Sequence, residues 1–254
     1  MTALLELSDV TVRYGGLAAV DQVSFRLEPG EICAVIGPNG AGKTTLFNSV
    51  TGNAPGTEGR ILFRGEEIQR LPPHAIAARG VRRTFQQGGL FGELTALENV
   101  LTGLHTRIES GLMGLLLGRR RAREAERRAT RAARALLERL GIGELAERPA
   151  RELSGGQQRL VEIARALAGD PPLLLLDEPA VGLSPPMRAE LERVIRAESR
   201  ELGTGILLIE HAIELVMSVA DRVIVLNYGA KIADSSPAEA RANRNVLEAY
   251  LGHA

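Results

Sequence analysis

The stretch Gly37-Pro38-Asn39-Gly40-Ala41-Gly42-Lys43-Thr44-Thr45 decides the fold. It has the spacing G-x-x-x-x-G-K-[ST] and follows the apolar run Ile32-Cys33-Ala34-Val35-Ile36, which reads as a short buried strand. A phosphate chain is held by backbone N–H donors at close range. Glycines let a loop come that near, and the helix that follows turns the positive end of its dipole toward the same point. In that arrangement the Lys43 ammonium reaches the β- and γ-phosphates, and the Thr44 hydroxyl is placed to ligate Mg²⁺. The plain alternative is a glycine-rich turn between strand and helix. With every fixed position filled and a strand directly before it, the phosphate-binding reading is preferred.

Working outward, Leu4-Leu5-Glu6-Leu7-Ser8-Asp9-Val10-Thr11-Val12-Arg13-Tyr14 roughly alternates polar with apolar residues, which predicts an exposed-edge antiparallel strand. Ala19-Val20-Asp21-Gln22-Val23-Ser24-Phe25 repeats the pattern, and Pro29-Gly30 makes the turn into the strand before the loop. Tyr14 closes the first strand, where an aromatic ring can stack on adenine for roughly 0.5–1.5 kcal/mol beyond area burial. By itself it reads as an ordinary edge-strand tyrosine. After the loop, residues 44–50 are expected as helix, Arg60-Ile61-Leu62-Phe63 as a strand, and Leu71-Pro72-Pro73-His74 as a turn into a short helix from Ala75. Gln86 stands at the end of Val81-Arg82-Arg83-Thr84-Phe85-Gln86-Gln87; its amide can ligate Mg²⁺ or hold a water, although most loop glutamines are simply solvated.

The composition changes between Gly88 and Arg151. Residues 94–101 read as helix, the apolar patch 112–117 as a contact for a partner protein, and 119–140 as a long basic helix. Its apolar stripe is read as Ala122, Ala125, Ala129, Ala132, Leu136 and Leu140, with a solvated arginine face opposite. Ser154, followed by Gly155, Gly156 and Gln157, then makes a capping-box pattern for a helix whose buried stripe is Leu160, Ile163, Ala164 and Leu167. Its glycine-opened N-terminus is a second anion site. One nucleotide cannot use two distant cradles on one chain, so this one is assigned to a nucleotide on another copy.

Leu173-Leu174-Leu175-Leu176-Asp177-Glu178 predicts a buried parallel strand ending in two carboxylates, at the sheet edge where ligands of open α/β folds sit. Asp177 suits the orientation of Mg²⁺ and Glu178 the role of general base on an attacking water. The strand Ile206-Leu207-Leu208-Ile209 leads to Glu210-His211, where the imidazole can hydrogen-bond a γ-phosphate. Val223-Ile224-Val225-Leu226 and Ala230-Lys231-Ile232-Ala233 read as a hairpin, and Pro237 starts one closing helix that reaches 250–252.

Bulk properties exclude several classes. The 254 residues suit one large α/β domain or two small ones, and lysine plus arginine equals aspartate plus glutamate at 31 each, so no nucleic-acid partner is expected. The single Cys33 cannot build a disulfide framework and fits a reducing cytosol, the N-terminus lacks a secretory signal, and no apolar run approaches the ~18 residues of a membrane span.

In this order, 37–45, Gln86, 153–159, 173–178 and His211 resemble the motif set of an ATP-binding-cassette ATPase over nearly the whole chain. Leu153-Ser154-Gly155-Gly156-Gln157 is the specific part, because other phosphate-loop proteins lack it. The resemblance implies an α/β fold: a P-loop, RecA-like core with an N-terminal antiparallel β subdomain and an α-helical subdomain inserted at about 88–152, together spanning 4–241. It also implies a head-to-tail dimer with two ATP molecules, each between one phosphate loop and the other copy's signature. Tyr14 becomes the adenine platform, Gln86 the hinge that senses Mg²⁺ and the membrane partner, and His211 the γ-phosphate switch. Arg83-Thr84-Phe85-Gln86, the segment 103–140, Glu178-Pro179-Ala180-Val181-Gly182-Leu183, Asn227-Tyr228-Gly229-Ala230-Lys231-Ile232 and Glu248-Ala249-Tyr250-Leu251-Gly252 are similar to the branched-chain amino-acid transport subfamily, with 232–254 as its tail. That likeness implies separate integral-membrane permease subunits, a second cassette that is identical or a paralogue, an indirect solute-binding partner, and a place on the cytoplasmic face of the membrane. Cassettes for urea or short amides, or for lipid or lipopolysaccharide export, are the alternatives, together with a soluble cassette ATPase that takes no part in transport. Ser184 departs from the family, which usually has aspartate there at the dimer interface.

Overall fold

Two patterns of hydrophobicity become two sheets. The computed structural model describes residues 3–84, 89–104 and 119–251, and elements are labelled in chain order over these residues. β1 (Leu5–Tyr14), β2 (Leu17–Leu27), β4 (Glu58–Phe63) and β5 (Glu66–Glu67) form an antiparallel sheet in the order β2-β1-β4-β5. The expectation that β1 is an edge strand is corrected: it pairs with β2 on one side and β4 on the other. Its alternation arises because Leu5, Leu7, Val10 and Val12 face the core while Glu6, Ser8, Asp9 and Arg13 are partly or fully exposed; Thr11 is buried with its neighbours. A wet face and an unpaired edge leave the same mark on a sequence.

The second sheet has the order β10 (Ala230–Ser235), β9 (Arg222–Asn227), β3 (Ile32–Ile36), β8 (Gly205–Ile209), β7 (Leu173–Asp177), β6 (Val81–Arg83). All its pairings are parallel except the β9–β10 hairpin. Every residue of β3, β7 and β8 is buried, as continuous apolar strands covered on both faces require, and burial pushes the Cys33 thiol far above its usual range. Parallel pairing brings the carboxyl ends of these three strands to one edge: β3 runs into Gly37, β7 stops at Asp177 and β8 is followed by Glu210-His211.

The chain divides into two compact units. The first, Met1–Arg83, Pro172–Glu178 and Ile195–Ala254, holds both sheets; the second, Thr84–Pro171 and Pro179–Val194, is helical among its described residues. In the first unit, α1 (Lys43–Val50) follows the phosphate loop and α2 (Pro73–Ala78) begins with Pro73, whose missing N–H is no loss at a first helical position. In the second, α3 (Ala96–Gly103) opens with a capping box between Thr95 and Glu98, and α4 (Arg119–Arg139) is the basic helix. Its expected stripe is corrected in part: Leu140 is buried as expected and Ala125, Ala129 and Leu136 are half-buried, but Ala132 is exposed while Ala133 and Leu137 are fully buried. An alanine-rich helix offers several small-residue rows, and the row that carries leucine buries more apolar area. The apolar patch at 112–117 lies outside the described residues.

The single closing helix expected from Pro237 is instead two, α8 (Pro237–Ala242) and α9 (Arg244–Leu251). Asn243 adopts extended backbone between them and its Oδ1 accepts the Asn245 N–H, a local bond with which asparagine competes against helix continuation.

One guanidinium joins three elements near the edge where the parallel strands end. Arg83, buried at the end of β6, donates from Nη2 to Asp177 Oδ2 at 2.9 Å and from Nη1 to Asn48 Oδ1 of α1 at 2.6 Å, and it lies 5.6 Å from the centroid of the Phe47 ring. Removing one partner of a buried ion pair leaves the other charge desolvated. Arg83→Met is expected to lower stability by roughly 3–5 kcal/mol in chemical denaturation; a loss below about 1 kcal/mol would show that water screens the pair.

Candidate functional site

The phosphate loop is threaded through a space that admits no side chain at two positions. A Cβ on Gly42, at φ 99°, would fall 2.2 Å from the Ala19 carbonyl oxygen of β2, and one on Gly37, at φ 151°, would fall 2.2 Å from that of Leu226 in β9. Gly229 clamps the loop from the β9–β10 turn, donating its N–H to Ala41 O at 3.1 Å. Helix α1 then starts with Gly42 as N-cap and no capping side chain, so its first-turn N–H groups face the loop with the positive end of the helix behind them. Asn39, Gly40 and Thr44 line the open rim, while Pro38 and Thr45 are half-buried.

Lys43 is the buried cation of this loop. Its Nζ donates to Gly37 O at 2.7 Å and to Pro38 O at 2.9 Å. Burial holds the ammonium below the usual lysine range, and the Glu178 and Asp177 carboxylates pull the other way. The strand ends therefore bring lysine and both acids into one electrostatic neighbourhood, as the spacing of the motifs leads one to expect.

Glu178 adopts φ 50°, the left-handed region, with its N–H donating to Ile209 O at 2.8 Å. A non-glycine residue held there stores of the order of 1–3 kcal/mol, and such residues concentrate at functional sites. The turn aims the carboxylate at the next strand end: Glu178 Oε1 lies 3.2 Å from His211 Nε2. Glu210, which is buried, shapes that partner turn by accepting the N–H groups of His211 at 2.7 Å and Ala212 at 3.3 Å. Sequence reasoning passed over Glu210, although a carboxylate just ahead of a turn is well placed to hold the N–H groups that follow. It also passed over Arg83 and over Tyr250 of α9; burial pushes this phenol up and the nearby Gly37 N–H partly restores it.

Tyr14 stands half-exposed at the end of β1 in the same unit. Gln86 lies outside the described residues. In the helical unit, Ser154 caps α5 (Gly155–Leu167): its Oγ accepts the Gln157 N–H at 3.3 Å and Gln157 Oε1 accepts the Ser154 N–H at 2.9 Å. Leu160, Ile163, Ala164 and Leu167 are its buried stripe, as expected. Ser154 and Gly155 are exposed, whereas a Cβ on Gly156 would meet Gly182 O at 2.7 Å.

No cluster of three or more His, Cys, Asp or Glu side chains stands ready for a metal ion among the described residues. The Thr44 hydroxyl and the Asp177 carboxylate are hard oxygen donors, the set that suits a Mg²⁺ completing its shell with phosphate oxygens and water.

The family model described as ABC transporter matches residues 20–181, more than half of the chain. BraF, a high-affinity branched-chain amino acid transport ATP-binding protein of Pseudomonas aeruginosa, is 45% identical over 251 residues, covering 99% of this chain and 98% of that protein. The ADP conformation of MJ1267, an ATP-binding cassette of an ABC transporter, superposes with a TM-score of 0.82 at 31% identity over 100% of both chains. The dimeric post-hydrolysis cassette MJ0796, bound to ADP and Pi, does so at 0.79 and 26% identity, over 92% of this chain and 98% of its own. On its phosphate loop, its strand-end acids and these full-length likenesses, the chain belongs to the ABC transporter family, as an ATP-hydrolysing cassette.

Proposed function

We propose that this cassette drives an importer of branched-chain or chemically related amino acids, working on the cytoplasmic face of the membrane with separate permease subunits and, through them, a solute-binding protein. No helix among the described residues is long and apolar enough to cross a membrane, so the span is assigned to the partners. The full-length identity with BraF supports the solute class. The observation that carries the catalytic reading is the approach of His211 to Glu178 beside Lys43 at the ends of β7, β8 and β3.

In this reading the cassette spans 4–241, with its helical subdomain at about 88–152 and a tail at 232–254. Residues 37–45 wrap the phosphates of ATP and Tyr14 stacks on the adenine. Lys43 exchanges its two carbonyl partners for phosphate oxygens. Thr44, Asp177 and Gln86 hold Mg²⁺, which when bound neutralises phosphate charge. Glu178 accepts a proton from the attacking water, and His211 Nε2 orients that carboxylate and reads the γ-phosphate. The N-terminus of α5, with Ser154, Gly155, Gly156 and Gln157, covers the nucleotide of a second cassette, so that ATP favours the closed pair and hydrolysis releases it. The dimeric state of MJ0796 supports this arrangement. Ser184 replaces the usual interface aspartate there and alters the coupling between the two sites.

Glu178→Gln is expected to keep ATP affinity and slow hydrolysis by roughly 10²–10⁴, the usual contribution of a positioned acid or base. Near-normal turnover would remove Glu178 from the mechanism. The same variant, weighed in solution with Mg-free ATP, is expected to shift from monomer to dimer, and Ser154→Arg to abolish the shift; tight ATP binding at constant mass would assign the second cassette to a different chain. Cells deleted for this chain are expected to lose high-affinity uptake of radiolabelled leucine, isoleucine and valine. Unchanged uptake would sink the amino-acid reading and leave the ATPase reading standing.

A further inference from the structure

A cavity of about 390 Å³ lies between the end of β3, α7 (Ile213–Val219), β9 and the closing helices α8 and α9. Its size falls within the roughly 300–1,000 Å³ of small-molecule sites, and its wall is almost wholly aliphatic, Ile36 and Met217 among the lining. Water gains few hydrogen bonds in such a space. Ile213, Leu247 and Tyr250, which line it, are 42%, 48% and 41% exposed, so apolar surface is gathered at this one place.

The polar groups restrict what fits. They belong to His211, Arg241 and Tyr250, and no lining residue carries a carboxylate. Arg241 thus gives an anion a cationic side chain in the lining, whereas an ammonium group finds no counter-charge there and loses its hydration. The cavity also adjoins the ATP site at two points. Tyr250 stands near the Gly37 N–H, and the Gly37 carbonyl holds Lys43. His211, on the wall, contacts Glu178.

We propose that this cavity binds a short aliphatic monocarboxylate without an amine, of the kind that deamination of a branched-chain amino acid produces, and that the bound acid weakens ATP binding. An acid packed under α9 favours the resting loop, in which α9 stays seated beside Gly37 and Lys43 keeps the loop carbonyls. ATP needs that lysine released. By linkage, whatever the acid loses in affinity when ATP binds, ATP loses when the acid binds. The site stands independently of which solute the transporter carries.

The test is a methyl-labelled NMR titration of the full chain with 4-methyl-2-oxopentanoate, 4-methylpentanoate and L-leucine, followed by ATP titration of each sample. Saturable shifts of the Ile36, Met217 and Leu247 methyls are expected with both acids, with leucine at least about tenfold weaker, the worth of one charged hydrogen bond and its desolvation. Arg241→Gln should weaken the acids by about the same factor, and Met217→Trp should block them by filling the cavity. Both variants should keep the melting temperature and the acid-free ATP affinity, which separates a lost site from a lost fold or a wrong ATPase reading. No saturable shift, leucine binding as tightly as the acids, or indifference to both variants would overturn the site. An ATP affinity that stays constant at saturating acid would overturn the regulation.

Discussion

A buried ammonium that must face anions is the constraint on which the rest of the structure depends. Lys43 is 6% exposed, and removing a charge from water is tolerable only where opposite charge and carbonyl dipoles surround it. Two loop carbonyls supply the dipoles, and Asp177 and Glu178 supply the charge. Those acids arrive from a strand more than a hundred residues away, and parallel pairing of β7 with β8, and of β8 with β3, is what delivers them. The burial of every residue in these strands is thus part of the chemistry: a rigid apolar sheet fixes the depth at which each polar end emerges.

The same logic explains why the two acids behave differently although they are adjacent. Asp177 ends the strand in regular backbone and is buried against Arg83, which ties it to α1 and holds its carboxylate in place. Glu178 turns out through the left-handed region and keeps a quarter of its side chain open, beside His211. One acid is immobilised by its partner and the other is left partly open at the strand end. Backbone strain at Glu178 costs about 1–3 kcal/mol, and the bond from its N–H to Ile209 O with the buried Glu210 turn opposite offsets it.

Local features of this design were legible in the sequence. The phosphate loop, β3, β7 and the Ser154–Gln157 capping box are each written in fewer than a dozen consecutive residues, and each was found where expected. What failed involves information that no window contains. Alternation in β1 marks a wet face, and only the pairing with β4 shows that the strand is central. Four-residue spacing in α4 fits several alanine rows, and the partner surface selects the one with Leu137. The break at Asn243 interrupts a pattern that is helical on both sides. Arg83 meets Asp177, and Tyr250 meets Gly37, across separations that only the folded sheet closes.

That last contact changes how the tail is understood. A closing helix whose task was only to cover apolar surface would leave the phosphate loop alone. α9 instead brings the Tyr250 phenol near the first glycine of the loop, the residue whose carbonyl anchors Lys43. Gly37 is held by steric closeness to Leu226 on one side, and the Tyr250 phenol stands near its N–H on another. The break at Asn243 gives α9 its own axis, distinct from α8, and leaves beneath it the aliphatic space that a longer, straight helix would have filled differently. The tail thus brings a polar group close to the loop glycine whose carbonyl holds Lys43, which a purely apolar cover would not do.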